Sequence, residues 1–207
     1  MPRAILFDFN GVIVNDEQQH CEALIATLAG YGYDLDRAQY YRDYLGFDDR
    51  ECFRFTFERM GLGADEGLIP EAIERKAVLY EQAIRASLEL VPGSTDFIRI
   101  AAEEGYRLAV ISGASRREIK LVLDEAGLSR YFEMILAAED VTRCKPDPEG
   151  YRTAREALRM PASACVSGIP TALASSKPAA DVVLRLASAP ATVHGGTRYC
   201  GSSTPKP

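Results

Sequence analysis

Four consecutive residues, Ala4 to Phe7, carry no polar side chain and stop at an acid, Asp8, after which Asn10 and Gly11 open a turn. A strand with one face in water alternates apolar and polar residues. An unbroken apolar run instead fits a strand buried on both faces, as in a parallel sheet covered by helices. Residues 3–8 are therefore predicted as a strand of that kind, with Asp8 at its C-terminal end. Parallel neighbours need long crossovers, usually helical, so the rest of the chain should alternate helix and strand.

It does so, after one long interruption. From Asp16 to about Ser87 the pattern is helical: "EQQHCEALIATLAGYG" ends on glycines, "DDRECFRFTFERMG" offers Asp48 or Asp49 as N-cap, and "PEAIERKAVLYEQAIRASLEL" runs about five turns. "VPGSTDFIRIAAEEGY" is then a turn and a helix, and "RLAVIS" a second buried strand. "SRREIKLVLDEAGLSRYF" is a helix with a Gly127 stop, "EMILAAED" a third strand, "KPDPEGYRTAREALRM" a helix after two prolines, and "ASACV" the candidate start of a fourth strand. The expected fold is α/β: a Rossmann-like parallel core from residues 1–15 and 91–166, an inserted helical cap from residues 16–90, and a tail from residue 167. Ligands of such sheets bind at the strands' C-terminal ends. Asp8, Ser112 and the segment leading to Lys145 all lie just past such ends.

Net charge is −6, which speaks against nucleic-acid binding through a basic surface. No run approaches the roughly 18 apolar residues of a membrane span, and residues 1–15 lack signal-peptide features, so a cytoplasmic location is expected. Cys21, Cys52, Cys144, Cys165 and Cys200 are scattered without CxxC spacing and are expected as free thiols. His20 and His194 are the only histidines, too few for a His-based metal site, and are expected as satisfied or solvated side chains.

Three segments in order, "FDFNGVI", "VISGAS" and "KPDPEGY", with "VPG" at Val91–Gly93, resemble the haloacid dehalogenase superfamily. Within it, the resemblance is to the phosphatases and β-phosphoglucomutase-like enzymes with a helical cap after the first strand, and it covers roughly residues 3–165. It implies a phosphatase or phosphomutase-like hydrolase of a small phosphorylated metabolite, such as a sugar phosphate, working through an aspartyl-phosphate on Asp8. Lys145 would neutralise charge beside Asp8. Ser112 and the N–H groups of Gly113 and Ala114 would bind phosphate. Mg²⁺ would be held by Asp8 and the Asn10 main-chain carbonyl. "LGFDDRECF" resembles the cap segment that contacts sugars, which singles out Gly46 and Arg50. Plainer roles remain open: Asp8 as a strand-end cap, Ser112 as a helix cap, Lys145 and Arg50 as solvated side chains. Glu139 and Asp140 are expected to be structural.

Two departures from the family bear on function. The residue two after the nucleophile is usually an aspartate that serves as general acid and base; here it is Asn10. An amide cannot exchange a proton at neutral pH, so a loss of about 10²–10⁴ in rate is expected. The family's fourth motif, with one or two acids after the fourth strand, is absent: "ACV" runs into "SGIPTALASSKP". Composition also breaks there. After Glu156 the only acid is Asp181, and after Tyr151 the only aromatic is Tyr199. Reading "VSGIPTALASSKP" one frame over, with permitted synonymous codons, yields Ile-Gly-Asp-Ser-His-Gly-Ile-Gly-Ile-Val-Lys-Ala, the missing pattern. Residues 167–207 are thus expected to be out-of-frame sequence, with the sheet's later strands incomplete. The alternatives to an impaired phosphatase are a catalytically dead phosphate- or partner-binding relative and a 2-haloacid dehalogenase.

Overall fold

Strand β1, Ala4–Phe7, is buried at every residue and lies in the interior of a parallel sheet. The structure, a computed structural model, describes residues 4–63, 67–143, 145 and 147–167. Among these, β2 (Arg107–Ile111), β3 (Phe132–Leu136) and β4 (Cys165–Ser167) join β1 in the order β3-β2-β1-β4, every pairing parallel. Ala4 registers with Arg107 on one side and Cys165 on the other. Apart from Ser167 in β4, the tail from residue 167 lies outside the described residues, as do Cys144, His194 and Cys200.

Because side chains alternate along a strand, each sheet face takes every second residue. Ala4 and Leu6 pack with Ala109, Ile111 and Leu136 against Ala154 and Leu158 of α7 or just beyond it (Glu149–Ala157). On the opposite face Phe7 meets Phe97 of α5 (Ser94–Glu103) edge-on, with ring centroids 5.8 Å apart, and Phe132 at 5.6 Å. Such edge contacts contribute about 0.5–1.5 kcal/mol each beyond area burial. After β2, helix α6 (Arg116–Glu125) begins with a capping box: Ser115 accepts from the Glu118 N–H, and the Glu118 carboxylate accepts from the Ser115 N–H. It ends before Gly127, whose φ of +67° suits a residue without Cβ.

The described residues divide into two compact units, 4–16 with 88–167, and 17–87. The second is helical: α1 (Glu17–Ala29), a short turn α2 (Arg37–Gln39), α3 (Asp49–Arg59) and α4 (Leu68–Ala86). Asp48 is the N-cap of α3, accepting the Glu51 N–H. The core here includes Leu24, Leu28, Tyr44, Phe53, Phe57 and Ala72. Cys21, Cys52 and Cys165 are buried free thiols, and burial pushes all three above the usual thiol range.

Candidate active site

The C-terminal ends of β1 and β2 meet around one lysine. Lys145 Nζ stands 2.7 Å from Asp8 Oδ1 and donates to the Ile111 carbonyl at 2.9 Å, so it ties together the ends of two neighbouring strands. An ammonium has three N–H donors, and these contacts use two of them. Asp8 Oδ1 also accepts the Phe9 N–H at 2.8 Å, which turns the carboxylate back over its own loop. The aspartate and lysine side chains remain 38% and 27% exposed, open enough for a ligand to reach both.

Ser112, the first residue after β2, is buried, and its N–H donates to the Leu136 carbonyl at the end of β3. Its Oγ accepts the Ala114 N–H at 3.0 Å, so that N–H is engaged by the serine itself. Gly113 is exposed. Ser112, Gly113, Lys145 and Tyr151 line one shallow cleft. Tyr151, which the sequence reading passed over, lies under the lysine with its ring centroid 5.8 Å from Nζ. Burial, and secondly the charge of Asp8, push its hydroxyl up to about 12.

Beyond Asp8 the chain folds into a tight loop. Ile13 donates to the Phe9 carbonyl and Gly11 to that of Val14, both at 2.8 Å, with Gly11 at φ +71° where a side chain would be strained. The loop is tied to the returning chain: Asn15 donates to the Glu89 carbonyl at 2.8 Å, and Val91 to that of Ile13 at 3.0 Å. Within it Asn10 Nδ2 donates to the Asp16 carboxylate, 3.0 Å from each oxygen. In the sequence Asp16 marks only the start of the helical segment. Its partnership depends on how the loop closes.

The Mg²⁺ donors expected here, the Asp8 carboxylate and the Asn10 peptide oxygen, are hard oxygens of the right chemistry. They are few. Among the described residues no group of three or more His, Cys, Asp or Glu side chains gathers as a metal cluster. Glu139 and Asp140 brace the end of β3: Glu139 accepts the Arg116 N–H, and Asp140 pairs with the Arg116 guanidinium and accepts the Ala137 N–H.

In the helical unit, Gly46 has φ +91° and Arg50 is exposed in the first turn of α3. That unit also holds a cluster missed from sequence. Lys76 of α4 is buried, pairs with Asp49, and lies 2.9 Å from His20 Nδ1, while His20 stacks on Tyr80 at 4.4 Å. The signal was present: Lys76 falls on the stripe Ile69, Ala72, Tyr80, Ile84, all buried.

A family model described as haloacid dehalogenase-like hydrolase matches residues 2–166. "Phosphoglycolate phosphatase 1" of Pseudomonas aeruginosa is 27% identical over 152 residues, 72% of this chain and 55% of that protein, so this chain spans about half of its length. Protein CbbY of Rhodobacter capsulatus is 27% identical over 172 residues, covering 80% and 75% of the two chains. Among solved structures, an aspartate-to-asparagine mutant of CbbY from Rhodobacter sphaeroides in complex with xylulose-(1,5)bisphosphate superposes with a TM-score of 0.71 and 28% identity, covering 86% of this chain and 83% of that one. A β-phosphoglucomutase from Clostridium difficile shares the fold, with a TM-score of 0.69 at 20% identity, over 84% of this chain and 82% of that one.

Proposed function

This chain belongs to the haloacid dehalogenase-like hydrolases, and on that premise we propose that it is a phosphoryl-transfer hydrolase of small phosphorylated metabolites, with Asp8 as nucleophile. The observation that carries this is the Asp8–Lys145 pair, 2.7 Å apart at the ends of two parallel strands, with Ser112 in the cleft that Lys145 also lines. The relative solved with xylulose-(1,5)bisphosphate supports a sugar phosphate as substrate class.

In the first step an Asp8 oxygen attacks phosphorus. The bond from phosphorus to the leaving oxygen breaks as the aspartyl-phosphate bond forms, and the leaving oxygen takes a proton from solvent. A water then attacks phosphorus, the aspartyl-phosphate bond breaks, inorganic phosphate leaves and one proton returns to solvent. Lys145 offsets the negative charge of the transferring group, and Ser112 positions its oxygens. Mg²⁺, held by Asp8 and the Asn10 carbonyl, would supply further charge neutralisation. Asn10 neither gives nor takes a proton, so both transfers fall to water and turnover is slower by about 10²–10⁴. Substrates with good leaving groups suffer least.

The test is phosphate release by the full chain from acetyl phosphate, p-nitrophenyl phosphate and a panel of sugar phosphates, beside Asp8→Asn. The expected result is slow release that Asp8→Asn lowers by about 10⁴-fold or more, with a phosphoryl group trapped on the unmodified chain alone. Equal background from both chains would overturn it. Orthophosphate binding without turnover would then favour the non-catalytic reading, to which Asn10 already points.

A further inference from the structure

Asn10 is held by a carboxylate that no step above uses. Its Nδ2 stands 3.0 Å from both oxygens of Asp16, and Asp16 is 2% exposed, the last residue before α1. The terminal torsion of an asparagine is broad and roughly two-fold, so a loose side chain presents either its oxygen or its nitrogen. A carboxylate accepts hydrogen bonds and donates none, so Asp16 selects the nitrogen edge of the amide by its chemistry. With Nδ2 held there, Oδ1 occupies the opposite edge.

We propose that Asp16 is a positioning residue that acts through Asn10, locking the amide so that an acceptor rather than a donor is presented two residues from Asp8. This rests on the phosphoryl-transfer reading. The Oδ1 acceptor takes a hydrogen bond from the hydroxyl of the incoming water and aims that water at phosphorus, while the proton itself leaves to solvent. The acid at 16 and the amide at 10 work as one unit. Losing the hold of Asp16 frees the amide to turn its NH₂ edge toward the water, where it repels an O–H donor.

Asp16 also directly precedes a helix, a position that Asp, Asn and Ser all serve well. The variants Asp16→Asn and Asp16→Ser therefore separate helix capping from positioning. Asn keeps an oxygen at the same reach, whereas the Ser hydroxyl falls short of Asn10. The first measurement is the side-chain amide signal of Asn10 by ¹⁵N NMR on the full chain, identified by its loss in Asn10→Ala. The two amide protons should lie away from free-asparagine shifts and exchange slowly in the unmodified chain and in Asp16→Asn, and should move to free-asparagine shifts with fast exchange in Asp16→Ser. The second is acetyl phosphate turnover. Asp16→Ser should lower kcat by about 10-fold or more, as misplacement of a reacting group does, with KM nearly unchanged, and Asp16→Asn should restore most of it. Equal losses in both variants, or none in Asp16→Ser, overturn the proposal. If the unmodified chain does not turn over acetyl phosphate, the phosphoryl-transfer reading fails. The amide signal then decides alone, even where Asp16→Ser does not fold: a pair of signals at free-asparagine shifts with fast exchange in the unmodified chain overturns the hold of Asp16 on Asn10.

Discussion

Each unit holds a lysine against an aspartate, and the two pairs sit in opposite surroundings. Lys145 and Asp8 meet on loops at the ends of strands, with side chains 27% and 38% exposed. Lys76 meets Asp49 between helices, with the lysine side chain 3% exposed and His20 as a further partner. A charge taken out of water must keep its partner, because desolvation is only repaid by fixed, well-made contacts. A half-exposed pair can exchange its partner for water or for a phosphate at little cost. On the proposed reading the same two residue types make a strut in one unit and a reagent in the other, and burial separates the two.

The comparison breaks most visibly at the reagent. Lys145→Met should lower kcat/KM by about 10²–10³, the usual cost of removing one charge-stabilising donor, while unfolding in urea stays within about 0.5 kcal/mol of the unmodified chain. A large loss of stability with activity kept would make Lys145 the strut instead. At the other pair the expectation reverses. Asp49→Ala takes a carboxylate away from a buried ammonium and should cost about 3 kcal/mol in urea unfolding. Lys76→Met should cost less, since the aspartate left behind is 26% exposed and lies in the first turn of α3, where the helix dipole favours it. Equal losses in the two variants would mean that burial of the lysine does not govern this pair.

A smaller effect sharpens the reagent side through Tyr151. Its hydroxyl titrates near 12, first from burial and then from the charge of Asp8, against about 10 in an unfolded chain. The folded state keeps this proton longer. The stability it contributes is whole below about pH 10 and is lost as pH rises through about 12. In Asp8→Asn the phenolate transition, followed by ultraviolet absorbance, should move down yet stay above 10, because burial persists. An unmoved transition would show that Asp8 does not act on this ring.

Much of the fold was legible in local pattern. The unbroken apolar runs at Ala4–Phe7 and Arg107–Ile111 mark strands buried on both faces, and the parallel sheet has them adjacent and in register. Gly127 is the left-handed stop of α6 that the pattern marks, whereas the capping serine is Ser115, inside the helical segment, and not Ser112, whose hydroxyl accepts the Ala114 N–H instead. "ASACV" yields β4 against β1. The three segments that resemble the haloacid dehalogenases lie in the residues 2–166 that the family model matches. The out-of-frame expectation concerns residues that, beyond Ser167, lie outside those described.

Apolar runs, caps and motif order belong to the sequence by itself, because strand burial, helix starts and turn conformations depend on residues within a few positions of one another. The contacts that divide reagent from strut do not. Asp16 reaches Asn10 only once the loop has closed on Gly11, Tyr151 reaches Lys145 because the helix after the proline turn packs under β2, and Lys76 finds His20 and Asp49 on two other helices. Each is a meeting of groups brought together by burial of apolar surface elsewhere. The chain's local pattern supplies these groups, and only the packed structure decides which of them face each other and how much water remains between them.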